Sequence, residues 1–465
     1  MDADKPSLAF CRYLSYFIPQ PTLLHMEKIA VPGASPVAKA DRIHLLDCLR
    51  GVALLGILIM NINGQGLAGQ LYEDMDLRQP LTGLNFYAWT FDMVLFEGTM
   101  RGLFSMLFGA GALLLIDRLQ KNHTGLLPAD VYYKRLVWLM IFGLINAYIF
   151  LWPGDILFPY AIVGLFLFPF RNLSARQLLI AAVLVLAIAT FRDTRALNRR
   201  KETIREGRVA EVLAEKKKTL TEEQQTFLGK WKTMKKNHSK DSIPARLAEE
   251  EKKIVRKSYG EIWKYYADLN ENNESIGIYR FFVWDILLFF FIGMAFYKNG
   301  FILGTASAKT YIITAITGTA IGLWLSYTEQ SHRHRLQFDH IKYWEQAKLG
   351  LYEIRRVFQS VGYLGLLILF YRWKPGKKLL TIFAPVGRMA FTNYLLQSVI
   401  TSIIFYGMDW FAALQRYQLY YIVAGIWVFQ IVSSHIWLRY FNMGPLEWLW
   451  RSLTYWKRPA LMKKE

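Results

Sequence analysis

The stretch MIFGLINAYIFLWPGDILFPYAI, residues 140–162, decides the fold. Two apolar runs flank a sharp bend, and Asn146, Pro153 and Asp155 stand at or beside it. Runs of this kind read as paired membrane helices. A carboxylate at such a place is costly and marks a functional site by default. It also suits the N-terminus of the second helix, where exposed N–H groups favour an acid. Asp155 is therefore both a candidate catalytic base and a candidate cap.

Composition sets the class. With 53% hydrophobic and 15% aromatic residues over 465 positions, the chain reads as an all-α polytopic membrane protein. Ten segments are apolar enough to cross: 45–63, 102–119, 136–152, 155–170, 178–190, 281–298, 310–327, 357–371, 386–406 and 419–438. Residues 85–97 carry Asp92 and Glu97 and read as an interfacial or inwardly packed helix. The formal charge of +20 falls mostly between the apolar segments, which favours lipid head groups as partners and argues against nucleic acid. If Arg42 and Arg50 mark a cytoplasmic start, ten spans place the basic loops 118–135, 171–176, 298–309 and 372–378, and the tail from 439, on that same side. The expectation is a multi-pass protein of the plasma (inner) membrane with both termini cytoplasmic.

This divides the chain into an arm (1–40), a first membrane half (41–191), an insertion (192–279), a second membrane half (280–438) and an amphipathic cytoplasmic tail (439–465). The insertion is dense in Lys, Arg and Glu at helical spacing and predicts a helical extracytoplasmic subdomain. Cys11 and Cys48 are the only cysteines, so neither a disulfide framework nor a cysteine metal site is expected. Residues 8–17 are short and broken by Arg12, which is unlike a cleavable signal peptide.

Several polar residues fall in or beside the spans. Asp47 and Arg50 are three apart, so they can pair, or Arg50 can hold an anion with its forked donors. Asn61 and Asn63 read as a helix C-terminal cap. In GRMAFTNYLLQS, the spacings Arg388/Thr392 and Asn393/Gln397 put two polar rows on one helix, lining a cavity or bonding a neighbouring helix; the charge of Arg388 favours the cavity. Asp285 needs a partner from elsewhere in the chain. Glu447 and Arg451 are four apart on a short helix after Gly444–Pro445, with Trp448, Trp450 and Trp456 at the interface. His332, His334 and His340 cluster, but the flanking Arg333 and Arg335 repel a cation, and no metal is expected. His435 reads as a packed helix residue. No phosphate-binding loop, nucleophile elbow or H-E-x-x-H is present in the sequence.

Five motifs in order carry a resemblance: LDCLRGVALLGILIMNI at 46–62, LFSMLFGAGA at 103–112, GLINAYIFLWPGDIL at 143–157, GRMAFTNYLLQS at 387–398 and WLRYFNMGPLEWLWRSLT at 437–454. With these the chain resembles the YeiB-type membrane proteins (domain of unknown function 418), a family grouped with the transmembrane acyltransferases. The arm and the charged insertion lie outside the resemblance. Relatives commonly have a histidine where this chain has Asn146, which weakens any scheme needing an imidazole there. The resemblance implies an acyltransferase-like bundle that takes an acyl group from cytoplasmic acyl-coenzyme A to a small-molecule, glycan or lipid acceptor on the other face. In that scheme Asp155 is the base, Asn146 and Asn393 donate hydrogen bonds, and Asp47, Arg50, Arg388, Gln397 and Asp285 bind substrate or cofactor. The alternative is a transporter or exporter of a small anionic or lipidic solute, with no covalent chemistry.

Overall fold

The computed structural model describes residues 43–463; the arm, Cys11 and Arg42 lie outside them. Among the described residues the fold is α-helical, with one isolated antiparallel bridge between Phe441 and Met462. Each of the ten apolar segments falls on helix. By length and composition, four helical runs can cross a membrane: His44–Gly66, Leu84–Asn122, Ala175–Glu215 and Arg416–Tyr440. A pair bent by 60°, Tyr259–Arg280 with Val283–Lys298, makes a fifth.

The other expected spans fall short for identifiable reasons. Leu157–Leu165 is nine residues and ends in a 3-10 turn at Phe168–Asn172, so it is about 14 Å long where the hydrocarbon is about 30 Å thick. Tyr352–Arg372 begins with Glu353, Arg355 and Arg356. The segment 386–406 is broken into Ala384–Arg388, Ala390–Ser402 and a π turn at Ile403–Gly407.

His44–Gly66 is the central helix and is buried along most of its length. Ala175–Glu215 and Arg416–Tyr440 are peripheral, with exposed rows such as Ile180, Val183, Leu184 and Val428, Val432, Ile436. Apolar exposed faces of this kind are compatible with lipid contact. Ala308–Arg335 and Tyr352–Arg372 pack most closely. A Cβ at Gly318 would lie 2.7 Å from the Gly362 Cα, so that crossing requires glycine.

Long-range contacts define two ends. At the basic end His44 Nδ1 is 3.1 Å from the Tyr371 hydroxyl, Lys298 donates to the Arg171 carbonyl at 2.7 Å, and Arg372 donates to the Ala306 carbonyl at 3.0 Å. At the other end the insertion meets the loops: Arg78 pairs with Glu251 at 2.7 Å and Arg208 with Glu345 at 2.6 Å. The insertion is helical as expected, with helices Glu222–His238, Ile243–Ile254 and Tyr259–Asn272. Capping boxes at Thr221/Gln224 and Ser258/Glu261 start the first and last of these.

Ala175–Glu215 runs unbroken through residue 192 as one helix of 41 residues, about 60 Å long. Its start is fixed by the Ser174/Gln177 capping box. In the insertion, Ile243, Leu247, Ile262 and Tyr266 share a core with Leu58, Ile62, Phe405 and Leu419. Residues 85–97 pack inward, as helix Leu84–Phe91 followed by a π turn at Asp92–Phe96. Gly98, at φ 68°, then lets the chain re-enter the helix Thr99–Asn122.

Candidate functional site

The basic end holds a cavity of about 290 Å³. Arg50 comes from the central helix, Arg118 from Thr99–Asn122, Arg135 from Leu127–Tyr148, Arg388 from Ala384–Arg388, and Arg451 from Pro445–Tyr455. All five line it. Arg50 and Arg388 are thus brought together from opposite halves of the chain. Two carboxylates join them: Asp47, whose Oδ1 takes Arg50 Nη1 at 3.3 Å, and Glu447. Arg388 donates to the Asn442 carbonyl at 3.2 Å, and the Arg135 guanidinium lies 3.7 Å from the Trp450 ring centroid. Leu46, Leu107, Phe108, Leu136, Leu139 and Phe391 make much of the rest apolar.

Tyr160 and Tyr394 also line the cavity. The Tyr394 hydroxyl accepts the Ile156 N–H at 3.1 Å and donates to Asp155 Oδ1 at 3.4 Å. Behind it, Asp155 is buried, takes the Asn146 amide at 2.7 Å on Oδ1, and takes the Phe158 N–H at 2.8 Å on Oδ2. The cap reading of Asp155 is therefore realised. Its expected position at an open mouth is not: the insertion covers the hairpin, with Asn270 donating to the Ala147 carbonyl at 2.8 Å and Asn273 to the Pro153 carbonyl at 3.1 Å.

Other expected site residues lie apart from this cavity. Asn393 donates to Ser434 Oγ at 3.0 Å and Gln397 to Gln430 at 3.0 Å, so that row binds helix Arg416–Tyr440 instead of lining a cavity. Asp285 pairs with Arg101 at 2.9 Å and Arg356 at 2.7 Å. Asn63 is no C-terminal cap: its amide donates to Asp92 at 2.9 Å, and Asp92 also takes Arg416 at 3.2 Å. Glu447 caps Ala390–Ser402. The histidines separate, with His332 on Gln346, His334 on the Leu81 carbonyl and His340 on Asp74 at 2.6 Å. His435 bonds its own helix at the Ile431 carbonyl.

Sequence reasoning missed three things. Arg118, Arg135 and Arg451 read as topogenic or interfacial charge, and Tyr394 carried no reading of its own. The third is a buried ion network: Arg355 with Glu97 and Glu329, and Arg356 with Asp285 and Glu353. The adjacent pair Arg355–Arg356 just before an apolar run was the available signal.

A helical bundle with an arginine-lined, apolar-walled cavity is the class that fold and site define. Residues 296–457 match the family described as "Protein of unknown function (DUF418)". The chain is 28% identical over 419 residues to the uncharacterized protein YeiB of Escherichia coli (strain K12), covering 88% of this chain and 95% of that one. It is 28% identical over 455 residues to the uncharacterized protein YxaH of Bacillus subtilis (strain 168), covering 92% and 98%. A third relative, an uncharacterized 39.9 kDa protein of Bacillus acidopullulyticus, is 25% identical over 434 residues. No solved structure matches. The chain is similar to these proteins along most of its length, and the DUF418 match falls in its second half.

Proposed function

We propose that the protein is a membrane-embedded acyltransferase-like enzyme of the plasma (inner) membrane. In this reading about ten helical segments cross the bilayer, the basic end and both termini are cytoplasmic, and the insertion is on the other face. The cavity takes acyl-coenzyme A from the cytoplasm, and its acyl group passes to a small-molecule, glycan or lipid acceptor. One observation carries the reading: five arginines from five helices converge on a cavity whose remaining wall is largely apolar. Guanidinium groups suit phosphates, and the leucine and phenylalanine wall suits an acyl chain. Tyr394 supports a proton route, since its hydroxyl joins the cavity to the Asp155 carboxylate behind it, a candidate base.

The test is purified protein with labelled acetyl-coenzyme A. Saturable binding and acceptor-dependent loss of the thioester are expected. Solute flux in liposomes without turnover would replace the enzyme by a transporter. Absence of any acyl-coenzyme A binding overturns the reading of the cavity.

A further inference from the structure

Behind Tyr394, on the side away from the arginines, the helix Tyr259–Asn272 and the turn after it rest on the hairpin of Asp155. Asn270 and Asn273 hold that contact through hydrogen bonds to Ala147 and Pro153. Glu274 follows directly and is half-buried. Its carboxyl bonds the Tyr148 hydroxyl and feels the charge of Asp155.

Around the two acids, oxygen atoms lack donors. Asn146 is fully buried, and while its amide nitrogen serves Asp155, its Oδ1 has no partner. Asn270 is 1% exposed, and its Oδ1 has none either. Oε1 of Glu274 is a third such atom. Native proteins rarely leave buried acceptors unsatisfied, so three of them beside two carboxylates ask for an occupant rich in donors and positively charged. No group of three His, Cys, Asp or Glu side chains among the described residues could hold a metal ion, and an organic cation fits the oxygens.

We propose that Asp155, Glu274, Asn146 and Asn270 form a second binding site, at the insertion end, for a primary ammonium group. Three N–H donors on one nitrogen match the three oxygens, and the charge matches the carboxylates. The insertion thereby supplies part of a site. Only the Tyr394–Asp155 pair separates this site from the arginine cavity. In the acyl-transfer reading, on which this clause alone rests, the ammonium compound is the acceptor.

The experiment is calorimetric titration of the purified full-length protein with ethanolamine chloride, at a pH where both carboxylates are ionised. Ethylene glycol and sodium chloride at matched ionic strength are the controls. Saturable binding of ethanolamine alone is expected, weakened about tenfold or more in Glu274→Gln, since a charge-assisted bond is lost. Binding is expected to disappear in Asp155→Asn. Glu274 is partly exposed and is not buried in the core, so its variant remains informative if Asp155→Asn fails to assemble. No ethanolamine heat above the salt control, as with oxygens satisfied by water, overturns the site; so does equal affinity in Glu274→Gln. Acyl-coenzyme A titrated into the same preparation reports the arginine cavity separately. Ethanolamine binding without acyl-coenzyme A binding removes the proposed function and keeps this site, and the converse removes this site alone.

Discussion

The carboxylate of Glu447 caps the helix that begins beside Thr392: its Oε2 takes the Thr392 hydroxyl at 2.5 Å, and its Oε1 takes the Phe391 and Thr392 N–H groups at 2.8 and 3.1 Å. The last helix is thereby fastened to the helix that carries Tyr394. Replacing Glu447 by Ala leaves two buried N–H donors without acceptors, at a cost of about 1–3 kcal/mol each. Thermal unfolding in detergent is expected to show Glu447→Ala well below the native protein, with Glu447→Gln between them. Equal melting of Ala variant and native protein would remove the cap from the energetics.

Arg356 and Asp285 are expected to behave as a buried pair. Their side chains are 0% and 5% exposed. Removing one partner leaves an uncompensated charge, so Asp285→Asn and Arg356→Met are each expected to destabilise by about 3–5 kcal/mol. The double variant is expected to lose less than the sum of the two, which a double-mutant cycle on unfolding midpoints measures. Strict additivity would mean that the contact contributes nothing.

How much of this was legible in the sequence depends on how far each residue's partner lay. The helical character of the apolar segments follows from their apolar runs, the breaks within 155–170 and 386–406 do not, and the capping boxes at Ser174, Thr221 and Ser258 are local signals. Arg50 could be singled out from its place at a span entrance, and it lines the cavity. The partners of Asp285 could not be read, because Arg101 and Arg356 are 184 and 71 positions away and an ion pair leaves no periodic trace. Asn393 and Gln397 share a helix face with no cavity, since whether a polar row meets space or Gln430 depends on packing. The hairpin of Asp155 was legible, and its cover was not, because the bonds of Asn270 and Asn273 to Ala147 and Pro153 leave no periodic trace.

Within the cavity, Arg50→Gln and Arg388→Gln are each expected to weaken acyl-coenzyme A binding about tenfold or more without lowering the melting temperature. Asp155→Asn keeps an oxygen for the Phe158 N–H, and is expected to fold and to lose turnover. Binding assays and labelled-thioester turnover check these expectations. Full activity of Asp155→Asn would return that residue to the role of a cap.

Acid is expected to loosen the insertion through His238. Burial, and next the charge of His340, hold its imidazole from 6.5 down to about 4, with its ring edge-on to Trp344 at 4.9 Å. Between those values the unfolded chain binds a proton that the folded chain refuses. Stability is therefore full above the ordinary histidine range and is lost as pH falls toward 4. Hydrogen exchange in Glu222–His238 is expected to accelerate between neutral and acid pH in the native protein, and less so in His238→Gln. Parallel curves for the two would assign the effect to other groups.

Topology is tested by impermeant thiol reagents. A cysteine introduced at Ser239, in the insertion, is expected to react in intact cells, and one at Lys309, at the basic end, only after permeabilisation. The reverse pattern would invert the membrane orientation.

The unbroken helix Ala175–Glu215 makes the insertion a poor candidate for excision. A deletion of 192–275 would cut through the middle of a rod, and would strip Leu58, Ile62 and Leu419 of the side chains that cover them. The same rod gives a mechanical gauge. Its outer half cannot tilt unless its inner half, packed on Val283–Lys298, tilts as well, so a spectroscopic label near Glu215 would report motion at the bundle tens of ångströms away.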